Sequence, residues 1–363
     1  MLQSNSIEKR PYLIAGPCSA ESRQQVLTCA KLLADSGKID AFRAGIWKPR
    51  TRPGQFEGMD TKGLKWLSEV KERFGLPTIT EVATSKHVEQ ILNAGIDMVW
   101  IGARTTSNPF SVNEIALALK GVDIPVFVKN PINPDLQLWI GAIERLINVG
   151  IKQITAIHRG FFPYEPTSLR NIPKWEIAIE LKTYMPELPI FCDPSHIAGI
   201  VGKIPEIAQY ALDIMMDGLM VEVHPNPSKA KTDVLQQLSP VEYIKMIDNL
   251  NFRHQSTDIT HSKIDKWRLQ IDSIDLQILE LLGKRFAISE QIAIEKKALS
   301  FAPFQLERWR KIIKTRLEYA NKIGLNENFV NTILQIIHRE SINIQNQLMS
   351  SNGKEREGKH KKN

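Results

Sequence analysis

The chain has 363 residues, 42% hydrophobic and 24% charged, with 20 Gly, 20 Pro and a formal net charge of +7. At about 150 residues per domain this suits two domains with real cores, and it excludes wholesale disorder or a disulfide- or metal-stapled miniprotein. Cys18, Cys29 and Cys192 form no CxxC pair, which indicates a reducing compartment; no apolar run reaches the roughly 18 residues of a membrane span and no secretory signal is evident, so a cytoplasmic protein with no membrane partner is expected.

Up to about residue 250, short apolar runs ending in polar residues alternate with amphipathic stretches, the signature of βα repetition. The runs are Tyr12 to Ala15, Ile39 to Arg43, Pro77 to Glu81, Met98 to Ile101, Val126 to Lys129, Gln153 to His158, Ile190 to Asp193 and Leu219 to Val223. This count fits a closed α/β TIM (β/α)₈ barrel over residues 1–250 better than an open doubly wound sheet.

Residues 251–262 are polar and aperiodic and read as a linker. From Ile264 a new pattern begins: Ile264, Trp267, Ile271, Ile274, Ile278 and Leu281 recur at alternating spacings of three and four. No Pro interrupts it before Pro303, so one helix of about 36 residues, roughly 54 Å, is predicted. Two shorter helices follow, Phe304 to Lys322 and Glu327 to Leu348, parted at Gly324. The second domain, 263–350, is therefore all-α with three helices. Its first helix is too long for so small a domain to cover, and an intertwined homodimer is expected. Residues 351–363 form a basic tail without interleaved aromatics; it reads as a solvated end, and no nucleic-acid partner is expected.

In either α/β architecture the active site lies where the strands end. There the barrel sequence carries Cys18, Arg43, Lys48, Glu81, Arg104, Lys129, Arg159, Asp193, His196, Glu222 and His224. Cys18, His196, Glu222 and Asp233 are the strongest metal-ligand candidates, and a mixed S/N/O set suits Mn²⁺, Fe²⁺, Co²⁺ or Zn²⁺ better than Mg²⁺ or Ca²⁺. So many cations on one rim (Arg43, Lys48, Arg50, Arg104, Lys129, Arg159) repel one another unless anions sit among them, which points to a polyanionic substrate.

Five ordered motifs, Ala15-Gly16-Pro17-Cys18-Ser19, Lys48-Pro49-Arg50-Thr51, Gly102-Ala103-Arg104, Asp193-Pro194-Ser195-His196 and Val221-Glu222-Val223-His224-Pro225, closely resemble the 3-deoxy-D-arabino-heptulosonate 7-phosphate (DAHP) synthases of type I beta over about residues 10 to 250. The resemblance implies a metal-dependent condensation of phosphoenolpyruvate with erythrose 4-phosphate, opening the shikimate pathway, with Mn²⁺ the favoured ion. It implies that Cys18, His196, Glu222 and Asp233 hold the metal and that Arg104, Lys129 and Arg159 hold phosphoenolpyruvate. Arg50 and Thr51 would hold the sugar phosphate, while Arg43 and Lys48 would line the phosphoenolpyruvate carboxylate and the reacting centre, Lys48 as the candidate for proton delivery. Two positions depart from the pattern: His158 stands where relatives often carry Glu, and Ile197-Ala198 where Gly-Thr is frequent. The competing reading is the sister family making 3-deoxy-D-manno-octulosonate 8-phosphate, against which Lys48-Pro49-Arg50-Thr51 argues.

On the predicted long helix, Arg285 and Lys296 fall near the centre of the apolar stripe and Arg268 at its edge, while Ser341 and Gln345 interrupt the stripe of the last helix. Cations facing a helical core need an anion, which suggests a dicarboxylate pocket. These positions resemble the AroQ class of chorismate mutases over about residues 258 to 348. The resemblance implies rearrangement of chorismate to prephenate without a cofactor. Arg285, Lys296, Arg308, Ser341 and Gln345 would be ligands of chorismate, Lys296 and Arg285 the catalytic pair, Arg268 a group reaching the partner's site, and Gln305 an amide where many relatives place an acid. The expected fusion lets prephenate or chorismate bound to the helical domain restrain the barrel. The alternative makes that domain a non-catalytic sensor and dimerisation module.

Overall fold

A computed structural model describes residues 10–48, 54–253 and 262–350. The predicted sugar-phosphate residues Arg50 and Thr51, most of the linker and the basic tail lie outside the described residues. The chain divides into two compact units, Met1–Gln255 and Ser256–Asn363.

In the first unit, parallel strands β1 (Tyr12–Gly16), β2 (Ala41–Arg43), β3 (Thr78–Val82), β4 (Met98–Ile101), β5 (Val126–Lys129), β6 (Ile154–His158), β7 (Ile190–Cys192) and β8 (Gly218–Glu222) pair in chain order. β1 closes on β8 with Tyr12 opposite Gly218 and Gly16 opposite Glu222, so the sheet is a closed barrel. The barrel helices are α1 (Arg23–Ser36), α2 (Thr61–Phe74), α3 (Ser85–Asn93), α4 (Ala103–Thr106), α5 (Pro109–Ala118), α6 (Leu136–Asn148), α7 (Trp175–Tyr184), α8 (Pro194–Ala198), α9 (Ile204–Asp213) and α10 (Pro240–Asn249).

The strands read as nearly continuous apolar runs because both faces are covered. Ile14, Ile79, Trp100, Phe127, Ile157, Phe191 and Met220 pack together in one cluster, and alternate residues such as Leu13, Phe42, Val99 and Val128 pack in a second with the helices. Two predicted strands are trimmed by aspartates. Asp40 turns its carboxylate onto Leu13 N at 2.7 Å, so β2 begins at Ala41. Asp193 accepts from His196 N at 3.1 Å, ending β7 and capping α8. Gly16 is obligatory for a steric reason: a Cβ there would lie 2.1 Å from Arg43 O.

Part of the predicted linker belongs to the barrel. Asn251 N donates to Gln209 Oε1 at 2.8 Å, and Gln209 Nε2 donates back to Asn251 O at 3.1 Å.

The second unit holds α11 (Ser262–Ala298), α12 (Leu306–Lys322) and α13 (Glu327–Ser350). Contacts from Arg285 to Ser341 and from Lys297 to Leu348 O advance together, so α11 and α13 run in the same direction. α12 starts two residues later than predicted, because Gln305 takes an extended backbone at the N-cap. The core here is thin: Ser289, Ala293, Ala320, Ser341 and Gln345 are buried, whereas Trp267, Leu269, Ile271, Ile274, Ile278 and Leu281 are all exposed. No helix among the described residues is long and apolar enough to cross a membrane.

Candidate active sites

The C-terminal ends of the strands surround a cavity of about 500 Å³ lined by Lys48, Glu81, Arg104, Lys129, Arg159, Arg170, Asn171, His196 and Asp233, among others. Its side contains the candidate metal centre. Donor atoms of Cys18, Glu222 and Asp233 all lie within 4.8 Å of one another, and His196 Nε2 stands 3.8 Å from Glu222 Oε1. His196 Nδ1 lies 2.8 Å from Asp193 Oδ2, which favours the proton on Nδ1 and leaves Nε2 toward the carboxylates. Three of the four predicted ligands therefore cluster, with the His196 imidazole beside Glu222, and thiol, imidazole and two carboxylates are a donor set that a borderline divalent ion fits.

Here Cys18 Sγ donates to Asp233 Oδ2 at 3.1 Å. Burial pushes the Cys18 thiol up, and Glu222 adds to the shift. Burial also opposes ionisation of Asp233, but His196, Arg170 and Lys48 outweigh it and hold that carboxyl well below the usual range. Glu222, wholly buried, is likewise held down against burial by His196 and Arg43.

The cations divide into two kinds. Arg43 is buried, 3.1 Å from Glu222 Oε1, with its guanidinium 4.9 Å from the Trp100 ring centre. Lys129 Nζ donates to Asp193 Oδ2 at 2.7 Å and lies 5.6 Å from the same ring. Lys48 Nζ donates to Cys18 O at 2.9 Å; burial presses its pKa down, but Cys18, Glu81 and Glu222 outweigh this and keep it a cation. Arg43 and Lys129 are thus paired to acids within the site, and Lys48 is held by a backbone carbonyl.

Arg159 is under-compensated. Its pKa is pushed down to about 10, first by burial and then by Arg170 and Arg104 against the opposing pull of Asp193. A cavity that crowds three guanidinium groups is built for an anion.

Sequence reasoning missed Arg170. It lies in the loop after β6, far from any strand end, and its Nη1 donates to Asp233 Oδ1 at 2.8 Å and also to Gln236 Oε1. Gln236 Nε2 in turn donates to Glu222 Oε2 at 2.7 Å. Asn171 was missed too: its Oδ1 accepts from Arg159 Nη1 at 2.9 Å, and its Nδ2 donates to His196 O at 2.6 Å. Their clue was adjacency in sequence to one another within a loop rich in polar residues, which is weak. His158, the residue that departs from the pattern, does not line the cavity; it is buried among Trp139, Phe161 and Trp175, and burial lowers its pKa to about 3, so it is a neutral packing group.

In the helical unit, four of the predicted residues converge. Arg285 Nη1 donates to Ser341 Oγ, and Lys296 Nζ donates to Gln345 Oε1 at 3.3 Å and to Pro303 O at 2.6 Å. Gln345 Nε2 donates to Ser289 Oγ at 3.0 Å. Burial lowers the pKa of both Arg285 and Lys296. Gln305 and Arg308 are exposed at the start of α12. Arg268 is exposed and pairs with Asp265 at 3.2 Å. It stands about 25 Å along α11 from Arg285, so one protomer does not bring it to this cluster. His338, three residues before Ser341 on the same helix face, stacks on Trp309 with centroids 4.1 Å apart; helical spacing from Ser341 could have found it.

Comparison with known proteins adds the following. Residues 5–258 match the DAHP synthetase I family, and residues 267–346 match type II chorismate mutase. A phospho-2-dehydro-3-deoxyheptonate aldolase of Thermotoga maritima is 30% identical over 226 residues, covering 62% of this chain and 64% of that protein, so the chain spans somewhat under two thirds of that relative. A 2-dehydro-3-deoxyphosphooctonate aldolase of Paraburkholderia xenovorans is 27% identical over 254 residues, 62% of this chain and 84% of that protein. The crystal structure of the Thermotoga maritima DAHP synthase superposes with a TM-score of 0.59 at 27% identity, covering 65% of this chain and 67% of that one.

Proposed function

The chain belongs to the DAHP synthetase I family, and from that premise we propose that it condenses phosphoenolpyruvate with erythrose 4-phosphate and one water to DAHP and phosphate, and that its helical unit rearranges chorismate to prephenate. The observation that carries the first activity is a cavity lined by Arg104, Lys129, Arg159, His196 and Asp233, with the Cys18 and Glu222 donors clustered beside Asp233.

In this reading the divalent ion, Mn²⁺ by preference, is held by Cys18, His196, Glu222 and Asp233 and supplies Lewis-acid polarisation of the aldehyde carbonyl. The protein's own work is placement of two anions. Arg104 and Arg159 take the phosphate of phosphoenolpyruvate and Lys129 its reacting end, while Arg43 and Lys48 hold positive charge beside the centre where the carbon–carbon bond forms. Lys48, kept protonated, is placed to deliver the proton that the former aldehyde oxygen takes up. Arg50 and Thr51 receive the sugar phosphate. Holding both substrates against their mutual repulsion removes an entropic barrier worth several kcal/mol, on the order of 7 or more in favourable cases.

The mutase needs no nucleophile. Arg285, Arg308 and the partner's copy of Arg268 orient the two carboxylates, Gln305 meets the hydroxyl, and Lys296 with Gln345 stabilises the charge that grows on the breaking ether oxygen, beside Ser341. This assigns the synthase to residues 1–250 and the mutase to 263–350, in a cytoplasmic homodimer. The support for the dimer is the bare apolar stripe of α11, since Ile271, Ile274 and Ile278 are each about half exposed or more. The double substitution Ile271→Asp and Ile278→Asp is expected to yield a monomer in light scattering with mutase activity lost; a wild-type protein that is itself monomeric would refute the assembly.

A direct substrate comparison tests the main reading. Turnover with erythrose 4-phosphate and none with arabinose 5-phosphate, abolished by chelator and suppressed by prephenate, is expected. Preference for arabinose 5-phosphate would move the barrel to the octulosonate family. Activity indifferent to prephenate would leave the fusion without a regulatory role, and a helical unit that binds prephenate without turning over chorismate would be a sensor.

A further inference from the structure

Cys18 and Asp233 sit in loops 215 residues apart in sequence, and neither residue lies within a strand or helix, Asp233 standing at the N-cap of a single 3-10 turn, Val234–Gln236. Asp233 also takes a left-handed backbone, φ 49° and ψ 43°, a conformation that needs surrounding contacts to persist. Both loops are tied to one side chain, that of Gln237, which is wholly buried. Its Oε1 accepts from Cys18 N at 2.9 Å, and its Nε2 donates to Thr232 O, the residue before Asp233, at 2.7 Å. The backbone of the next residue extends β8: Leu238 N donates to Glu222 O and His224 N to Leu238 O, both at 2.9 Å. Gln237 is thus anchored beside Glu222 and reaches the loops of the other two ligands. A smaller brace runs parallel to it. Ser19 Oγ lies 2.8 Å from Thr232 Oγ1, and Glu21 Oε1 accepts from Ser19 Oγ at 3.1 Å and from Lys231 N at 2.8 Å. Both polar atoms of Gln237 are spent on backbone partners, and Glu21 is not among the donors that cluster with Cys18, Glu222 and Asp233.

We propose that Gln237 is a positioning residue that sets the separation of Cys18 from Asp233, with Ser19 and Glu21 as its secondary support, so that metal affinity depends on side chains that never touch the metal. The inference rests on reading Cys18, His196, Glu222 and Asp233 as metal ligands. The amide satisfies both ends of the brace, because one loop offers a donor and the other an acceptor. An ionised glutamate keeps the acceptor for Cys18 N but sets an oxygen against Thr232 O, and methionine serves neither.

The test uses the full-length, metal-stripped protein. Mn²⁺ is titrated and free ion followed by electron paramagnetic resonance; Co²⁺ is titrated and the thiolate-to-cobalt charge-transfer absorption recorded. Loss of an outer-shell partner weakens metal binding by about 10- to 100-fold. That range is expected for Gln237→Met and Gln237→Glu, with a weakened or shifted cobalt band because the Cys18 sulfur is displaced. Ser19→Ala, which removes only the smaller brace, is expected to weaken Mn²⁺ by less than this while folding normally, and it carries the test if the Gln237 variants do not fold. Cys18→Ser is the control for the underlying reading. If Cys18→Ser loses Mn²⁺ while the folded Gln237 variants, or Ser19→Ala in their place, bind it as wild type does, the positioning role is overturned and the metal site stands. If Cys18→Ser binds Mn²⁺ like wild type, the metal-site reading fails and this inference with it.

Discussion

Serine in place of Cys18 is expected to lower synthase kcat/KM by about 10³-fold or more, with no recovery on adding excess Mn²⁺. Lewis-acid stabilisation of a developing alkoxide contributes several kcal/mol, and each 1.4 kcal/mol or so is a factor of ten in rate. The substitution is a clean probe because Cys18 is wholly buried and its Sγ already donates to Asp233 Oδ2. A serine hydroxyl can make the same bond, so the stability of the metal-free protein is expected to stay within about 1 kcal/mol of wild type. Steady-state kinetics across a Mn²⁺ series, alongside thermal melts of the chelated protein, check both halves. Full activity in the serine variant would remove the thiol from the ligand set.

Alanine in place of Lys296 is expected to reduce mutase kcat by about 10²- to 10³-fold, the usual loss when one preorganised donor to a developing oxyanion is removed. Its ammonium, carried on α11, meets an acceptor from α13, Gln345 Oε1, and one from the α11–α12 turn, Pro303 O. Synthase turnover without effector is expected to be unchanged, and its suppression by prephenate to be weakened, since the proposed effector site includes the same ammonium. Chorismate consumption and heptulosonate formation measured on one preparation separate the outcomes. A variant with normal mutase turnover would place the catalytic cation elsewhere.

The barrel was legible because its strands are apolar on both faces. Met98–Ile101 and Val126–Lys129 fall where the sequence puts them, since nothing polar competes inside those runs. Other ends shift by a residue; those at Asp40 and Asp193 differ because a carboxylate that could have continued a strand instead satisfies a backbone N–H of a neighbouring element. The site was legible as far as its residues stand at strand ends: barrel closure brings Lys129 and His196 to the cavity and Cys18 and Glu222 beside it. Arg170 and Gln237 were not. Arg170 reaches Asp233 across 63 residues of sequence, and Gln237 reaches Cys18 across 219. No periodicity or spacing encodes either pairing.

The α11 stripe is the converse case. Its heptad-like spacing announces an apolar face, but whether that face is buried within one chain depends on what packs against it; within the protomer it stays bare from Trp267 to Leu281. Sequence by itself determined the βα order, the long helix and the chemical types available at each strand end, because hydrophobic periodicity is a local property. Only the tertiary structure decided which cations are neutralised by Asp193 and Glu222 and which, like Arg159, remain short of an anion. The physical reason is that charge compensation and hydrogen bonding depend on distances of a few ångströms between side chains far apart in the chain, and those distances are set when the barrel closes.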